Sequence, residues 1–241
     1  MPNSKILLVG SISAFLQLVV IIGYAIATVV WGERSNDAKE VFDAFQQTPI
    51  PTFLTGDLPL LILVGLYIGT FPALYFSLRK SSPALALICT IGALLGVTIS
   101  FTGESTFALW YLSKEYVSAT LPNQKEMLIA AGQAVIAAGW WHSTASYIVG
   151  ILLQSTGAII SVAMLRTKQF HRITAITGIL ANSLDLFQHL FDPFIPGIHE
   201  MLAPVMGPFY LVWLPMLAWD LWRMQRSMAY SESSAKIESH P

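Results

Sequence analysis

The stretch Ile6–Trp31, ILLVGSISAFLQLVVIIGYAIATVVW, decides the fold class, because 26 residues pass without an Asp, Glu, Lys or Arg. A helix needs about 20 apolar residues to cross a bilayer, so this one spans with some tilt. A secretory signal has an apolar core of only about 7–15 residues, and the length predicts a retained helix even though Ala25-Ile26-Ala27 looks like a cleavage site. Outward from this stretch the character persists. Of 241 residues 54% are hydrophobic and 11% charged, where a soluble domain carries about 25% charged residues. The composition predicts an all-α, polytopic membrane protein whose first partner is the lipid bilayer. No long Lys/Arg run or stacking motif points to nucleic acid. Cys89 stands alone in an apolar run, so one chain can build neither a disulfide framework nor a cysteine metal site.

From Gly32 to Pro51 the chain turns polar, while Val41, Phe42 and Phe45 give a narrow apolar face. That predicts a short helix lying at the interface. A second span is expected from Phe53 to Leu78, kinked by Pro59 and Pro72. After the basic turn Arg79-Lys80 comes a third span, Ala84 to Tyr111, which carries Ser100 and Glu104 on one face near the Trp110-Tyr111 girdle. Asn123-Gln-Lys-Glu126 has the spacing of a capping box and predicts a helix from about Gln124 to Gly139. Trp140-Trp141-His142 marks a membrane boundary, and a fourth span continues to Leu165. Its Ser146, Gly150 and Gly157 let another helix approach closely. The fifth span runs from Ile173 to Phe191 and ends at Asp192-Pro193. The sixth runs from about Met206 to Trp222. Residues 1–226 thus form one six-helix transmembrane domain, and the polar stretch 227–241 is expected to be a disordered tail.

Six spans put both termini on one side. That side holds Lys5, Arg79, Lys80, Arg166, Lys168, Arg172, Arg223, Arg226 and Lys236, nine of the thirteen Lys and Arg residues. The positive-inside rule therefore places both termini in the cytoplasm.

The segment Met164-Leu165-Arg166, with Phe170, Arg172, Ala175 and Gly178-Ile179, follows Ala130-Ala131-Gly132 and an apolar, glycine-containing span. This pattern resembles the bacterial six-helix membrane family called domain of unknown function 4386, over most of the chain. The resemblance implies a single bundle of six helices in a bacterial cytoplasmic (inner) membrane. It brings no established activity and no functional residue to transfer.

Function must then be sought in the ionisable residues. Asn182, Asp185, His189 and Asp192 fall within one helical stripe of about 80°. The expected topology sets Asp57, Glu104 and His142 at the same outer depth. A carboxylate in the apolar layer costs at least ~2.5–3.5 kcal/mol, which marks Glu104 and Asp185. Glu104, Asp185 and His189 are the catalytic candidates, as acid–base groups acting on a lipid or other apolar small molecule. His142, Asp185 and His189 have ligand types that suit a divalent metal such as zinc. A non-catalytic bundle binding a lipid, a small hydrophobic ligand or a partner membrane protein is the alternative, with the same cluster fixing helix packing. A proton- or cation-coupled transporter comes third, because the inner half offers only Asp220, with Arg223 as its i+3 partner. Asp192 reads as a solvated cap and Asp57 as a helix N-cap.

Overall fold

The computed structural model describes residues 2–139, 143–195 and 197–238, with side chains described between residues 4 and 230 of these ranges. In order the helices are α1 (Pro2–Trp31), α2 (Ala38–Gln47), α3 (Pro49–Thr55), α4 (Leu58–Gly65), α5 (Tyr67–Leu78), α6 (Pro83–Ser100), α7 (Thr106–Ser118), α8 (Pro122–Ala138), α9 (Thr144–Leu165), α10 (Arg172–Phe191) and α11 (Ile198–Glu238). No strand occurs among the described residues. Five stretches are long and apolar enough to cross a membrane: Ser4–Trp31, Leu58–Leu78, Pro83–Ser100, Thr144–Leu165 and Ile198–Tyr230. α10 has the length, 20 residues, or about 30 Å at 1.5 Å per residue. Asn182, Asp185, Gln188 and His189 dilute its apolar character.

Two compact units are present. The first holds the residues up to Leu18, Leu66–Val97 and the residues from Gly150 on; the second holds Val19–Gly65 and Thr98–Val149. In the first unit large apolar side chains such as Leu7, Phe71 and Trp213 are buried together with small and polar ones, while many other apolar side chains face outward. On α1, Val9, Ile12 and Phe15 are exposed while Ser11, Ser13 and Gln17 are buried. That is the arrangement expected where the surroundings are as apolar as leucine and close packing holds the helices together. The Ser11 hydroxyl donates to the Ala218 carbonyl at 2.8 Å, and Gly10 of α1 packs against Ala73 of α5.

The second unit has a core of a different kind. Ala38, Val41, Phe42 and Phe45 of α2 bury against Leu109 of α7 and Ile136 of α8. α2 thus presents its predicted apolar face to protein and not to lipid headgroups. Gly132 makes this fit, since a Cβ there would lie 2.6 Å from the Phe42 ring. The exposed Lys39 Nζ donates to Asp43 Oδ2 at 2.8 Å, and this hydrogen bond raises the lysine pKa above its ordinary value.

Several boundaries differ from the sequence expectation. The third span ends at Ser100, and α7 starts afresh at Thr106. The Thr102 hydroxyl donates back to the Ile99 carbonyl at 2.7 Å, a local bond that competes with helix continuation. Ser100 and Glu104 therefore share no helical face. The second span starts at Leu58 after an extended Gly56, so Pro59 sits in a first turn, where its missing N–H costs nothing. α8 begins at Pro122 with Leu121 at its N-cap and no side-chain cap; Asn123 Oδ1 accepts the Gln124 N–H instead of closing the predicted box. α11 continues to Glu238 across most of the stretch expected to be disordered. Residues 227–238 hold no Pro or Gly, and extending an existing helix needs no new nucleus.

Candidate functional site

Three aspartates are buried: Asp57, Asp185 and Asp220. A buried carboxylate needs a charge partner or a proton, and the three meet this need differently. Asp57, in the second unit, has Arg34 Nη2 at 3.2 Å, accepts the Ser105 backbone N–H at 3.3 Å and accepts the Ser105 hydroxyl as well. It closes a buried ion pair, and its carboxylate is not the helix cap that its place in the sequence predicts. Asp220, in the first unit, accepts the His171 N–H at 3.0 Å and the Thr174 hydroxyl at 2.7 Å. It also has Arg223 Nη2 at 3.2 Å and His171 Nδ1 at 2.5 Å, so the predicted Arg223 is one partner among several.

Asp185 is the exception. Among the described residues no arginine or lysine is paired with it. Its Oδ1 lies 3.1 Å from His189 Nδ1, one turn along α10, and its Oδ2 lies 2.8 Å from the Tyr210 hydroxyl of α11. The same hydroxyl lies 2.9 Å from Gln154 Oε1 of α9. A phenol has one proton to give. Either the Gln154 amide is turned so that its NH₂ donates to Tyr210, or Asp185 is protonated and donates to the phenol oxygen. The site is therefore built around a carboxyl group, an imidazole and a phenol that share few protons. His189 is 30% exposed and Asp185 12%, so the imidazole connects the buried carboxyl to the surroundings.

Local packing holds these groups in place. A side chain at Gly150 of α9 would collide with the His189 ring, and one at Gly157 with the Asn182 amide. The two glycines predicted to admit a neighbouring helix thus admit polar side chains of α10. The rings of Tyr210 and Trp213 on α11 meet at a tilt of 58°, with centroids 5.9 Å apart.

Of the predicted site residues, Asp185 and His189 come together. Glu104 lies in the second unit at the bend between α6 and α7, where its Oε1 accepts the Thr106 N–H at 2.6 Å. His142 falls outside the described residues, and Asp192 forms the C-cap of α10. No group of three or more His, Cys, Asp or Glu able to hold a metal ion occurs among the described residues. Asp185 and His189 supply two donors of the expected zinc set, and the third, His142, lies outside the described residues. Tyr210 and Gln154 are the members that the ionisable pattern missed. Their signal is a hydrogen-bonding side chain deep within a long apolar run, which needs a partner in the bundle.

Residues 12–224 match the family model described as Domain of unknown function (DUF4386). No curated protein and no solved structure matches the chain.

Proposed function

The chain belongs to that family, a multi-pass helical membrane protein without an assigned activity, and we propose that it carries a membrane-embedded acid–base site built on Asp185, His189 and Tyr210. The observation that carries this reading is the contrast between the buried aspartates: Asp57 and Asp220 each have an arginine, whereas Asp185, among the described residues, has His189 and Tyr210 and no cation of Lys or Arg. A carboxyl group flanked by an imidazole and a phenol, with no arginine or lysine paired to it among the described residues, has neighbours that can exchange a proton with it. With a histidine beside it, it serves as proton acceptor in one step and donor in the next. The substrate class that reaches such a site is a lipid or another apolar molecule with one polar group. Glu104 is assigned to holding the α6–α7 bend. α10 is taken as a sixth crossing on its length, and the surplus of Lys and Arg on the side of the termini supports a cytoplasmic placement for both in a bacterial inner membrane.

The test is incubation of the purified chain in nanodiscs made from bacterial lipid extract, followed by mass spectrometry of the lipids. A new product that Asp185→Asn and His189→Ala each reduce at least about a hundredfold is the expected result, within the usual range for general acid–base groups. Variants that lower thermal stability but leave the product yield intact would assign the cluster to helix packing.

A further inference from the structure

Polar groups line α10 along its whole length and not only at the Asp185 end. At about 100° per residue, Thr174, Gly178, Asn182, Asp185, Gln188 and His189 occupy one stripe of about 120°. All but His189 are buried. At the Arg172 end, His171 is 42% exposed and its Nδ1 lies 2.5 Å from Asp220 Oδ1, while Asp220 Oδ2 accepts the Thr174 hydroxyl at 2.7 Å. An imidazole facing outward, a carboxylate and a hydroxyl thus make a hydrogen-bonded start. One turn further, Ser161 of α9 and Trp213 of α11 converge on Gly178, where a Cβ would lie 2.5 Å from Trp213 Nε1. The next turn brings the Asn182 amide, which donates to the Gly178 carbonyl at 2.7 Å. Beyond it stand Asp185, Tyr210 and His189.

Two buried polar atoms, one on the stripe and one facing it from α11, have no hydrogen bond among the described residues: the acceptor Gln188 Oε1 and the donor Trp213 Nε1. A buried polar atom left unpaired is costly, and ordered water is its usual remedy. Water is also what carries a proton between groups one helical turn, about 5–6 Å, apart.

We propose that this stripe is a proton path between the His171–Asp220 end of α10 and the Asp185–His189 site, so that the site exchanges protons with the opposite membrane face. The path rests on reading Asp185 as a proton-exchanging group. One proton enters at the His171 imidazole for each proton that leaves at the His189 imidazole, and no bond other than to hydrogen changes. Arg223, 3.2 Å from Asp220 Oδ1, stabilises the carboxylate as the acceptor. The inner half looks bare in the sequence because its ionisable groups gather around Asp220 at the end of the helix; between that end and Asp185 the polar groups are a hydroxyl, an amide and an indole.

The experiment uses the full chain in liposomes loaded with a pH-sensitive dye, with a potassium diffusion potential set by valinomycin. Wild type is expected to carry protons at least tenfold faster than protein-free vesicles, and Lys39→Ala to match it. The double variant Ser161→Ala/Trp213→Phe, which keeps an aromatic ring and deletes both polar groups at Gly178, is expected to lose at least fivefold, and Asp185→Asn to fall to the vesicle leak. Wild-type flux at the leak rate, a smaller loss in the double variant, or flux that survives Asp185→Asn overturns the path. The infrared carbonyl band of protonated Asp185, identified by its loss in Asp185→Asn, separates the two readings. A band that titrates without flux overturns the path alone, and absence of both overturns the acid–base site with it.

Discussion

Arg34 and Asp57 show what a buried, paired charge costs to disturb. Arg34 Nη2 lies 3.2 Å from a carboxylate with no solvent exposure. Removing the arginine leaves that charge buried alone, a loss of about 3–5 kcal/mol. Arg34→Met is therefore expected to lower the melting temperature in detergent sharply, and the double variant Arg34→Met/Asp57→Asn to recover most of it; a double variant as unstable as the single one would contradict the pairing. Glu104 is a smaller matter. Its carboxylate holds one backbone N–H at 2.6 Å, so Glu104→Ala is expected to cost about 1 kcal/mol, the worth of a helix-start hydrogen bond, measurable by thermal unfolding. At this scale the sequence was only partly legible. Asp185 and His189 are four apart on a helix, and periodicity brings them together. Which aspartate has an arginine is not local information, because Arg34 and Asp57 are joined by tertiary structure and their separation in the chain carries no period.

At the scale of elements, long apolar runs placed α10 to within one residue, and α1 and α9 to the residue at their ends and to within about four at their starts. Short helices were harder. α2 and α8 carry the pattern of surface helices, and only packing reveals that Phe42 is sealed between α2, α7 and α8. Phe42→Ala is expected to cost about 3–5 kcal/mol, as for other buried aromatic truncations. Hydrogen exchange should show the loosening in α2, α7 and α8; uniform loosening throughout the chain would count against a separate core for the second unit. The break after Ser100 was hidden because Ser, Thr and Gly are tolerated within membrane helices. What ends α6 is a set of side-chain bonds to the backbone at Thr102 and Glu104, and such competition leaves little mark on hydropathy.

For the whole molecule, composition alone was enough to give an all-helical, multi-pass membrane protein. The number of crossings turns on α10, whose polar stripe lowers its mean hydropathy below that of a spanning helix. Cysteines placed at Lys168 and Phe194, both exposed and one beyond each end of α10, are expected to react with an impermeant thiol reagent from opposite sides of sealed vesicles. The buried Cys89 stays silent. Reaction from one side would reduce α10 to a helix that does not cross. The glycines at 150 and 157 have a longer reach. Each is the mould of one polar residue on the facing helix, so neither member of a pair can change freely without the other. Gly150→Ala is therefore expected to displace the His189 ring, and pairing it with a small residue at 189 to relieve the clash, so that a chain which has given up the imidazole is free to fill the space.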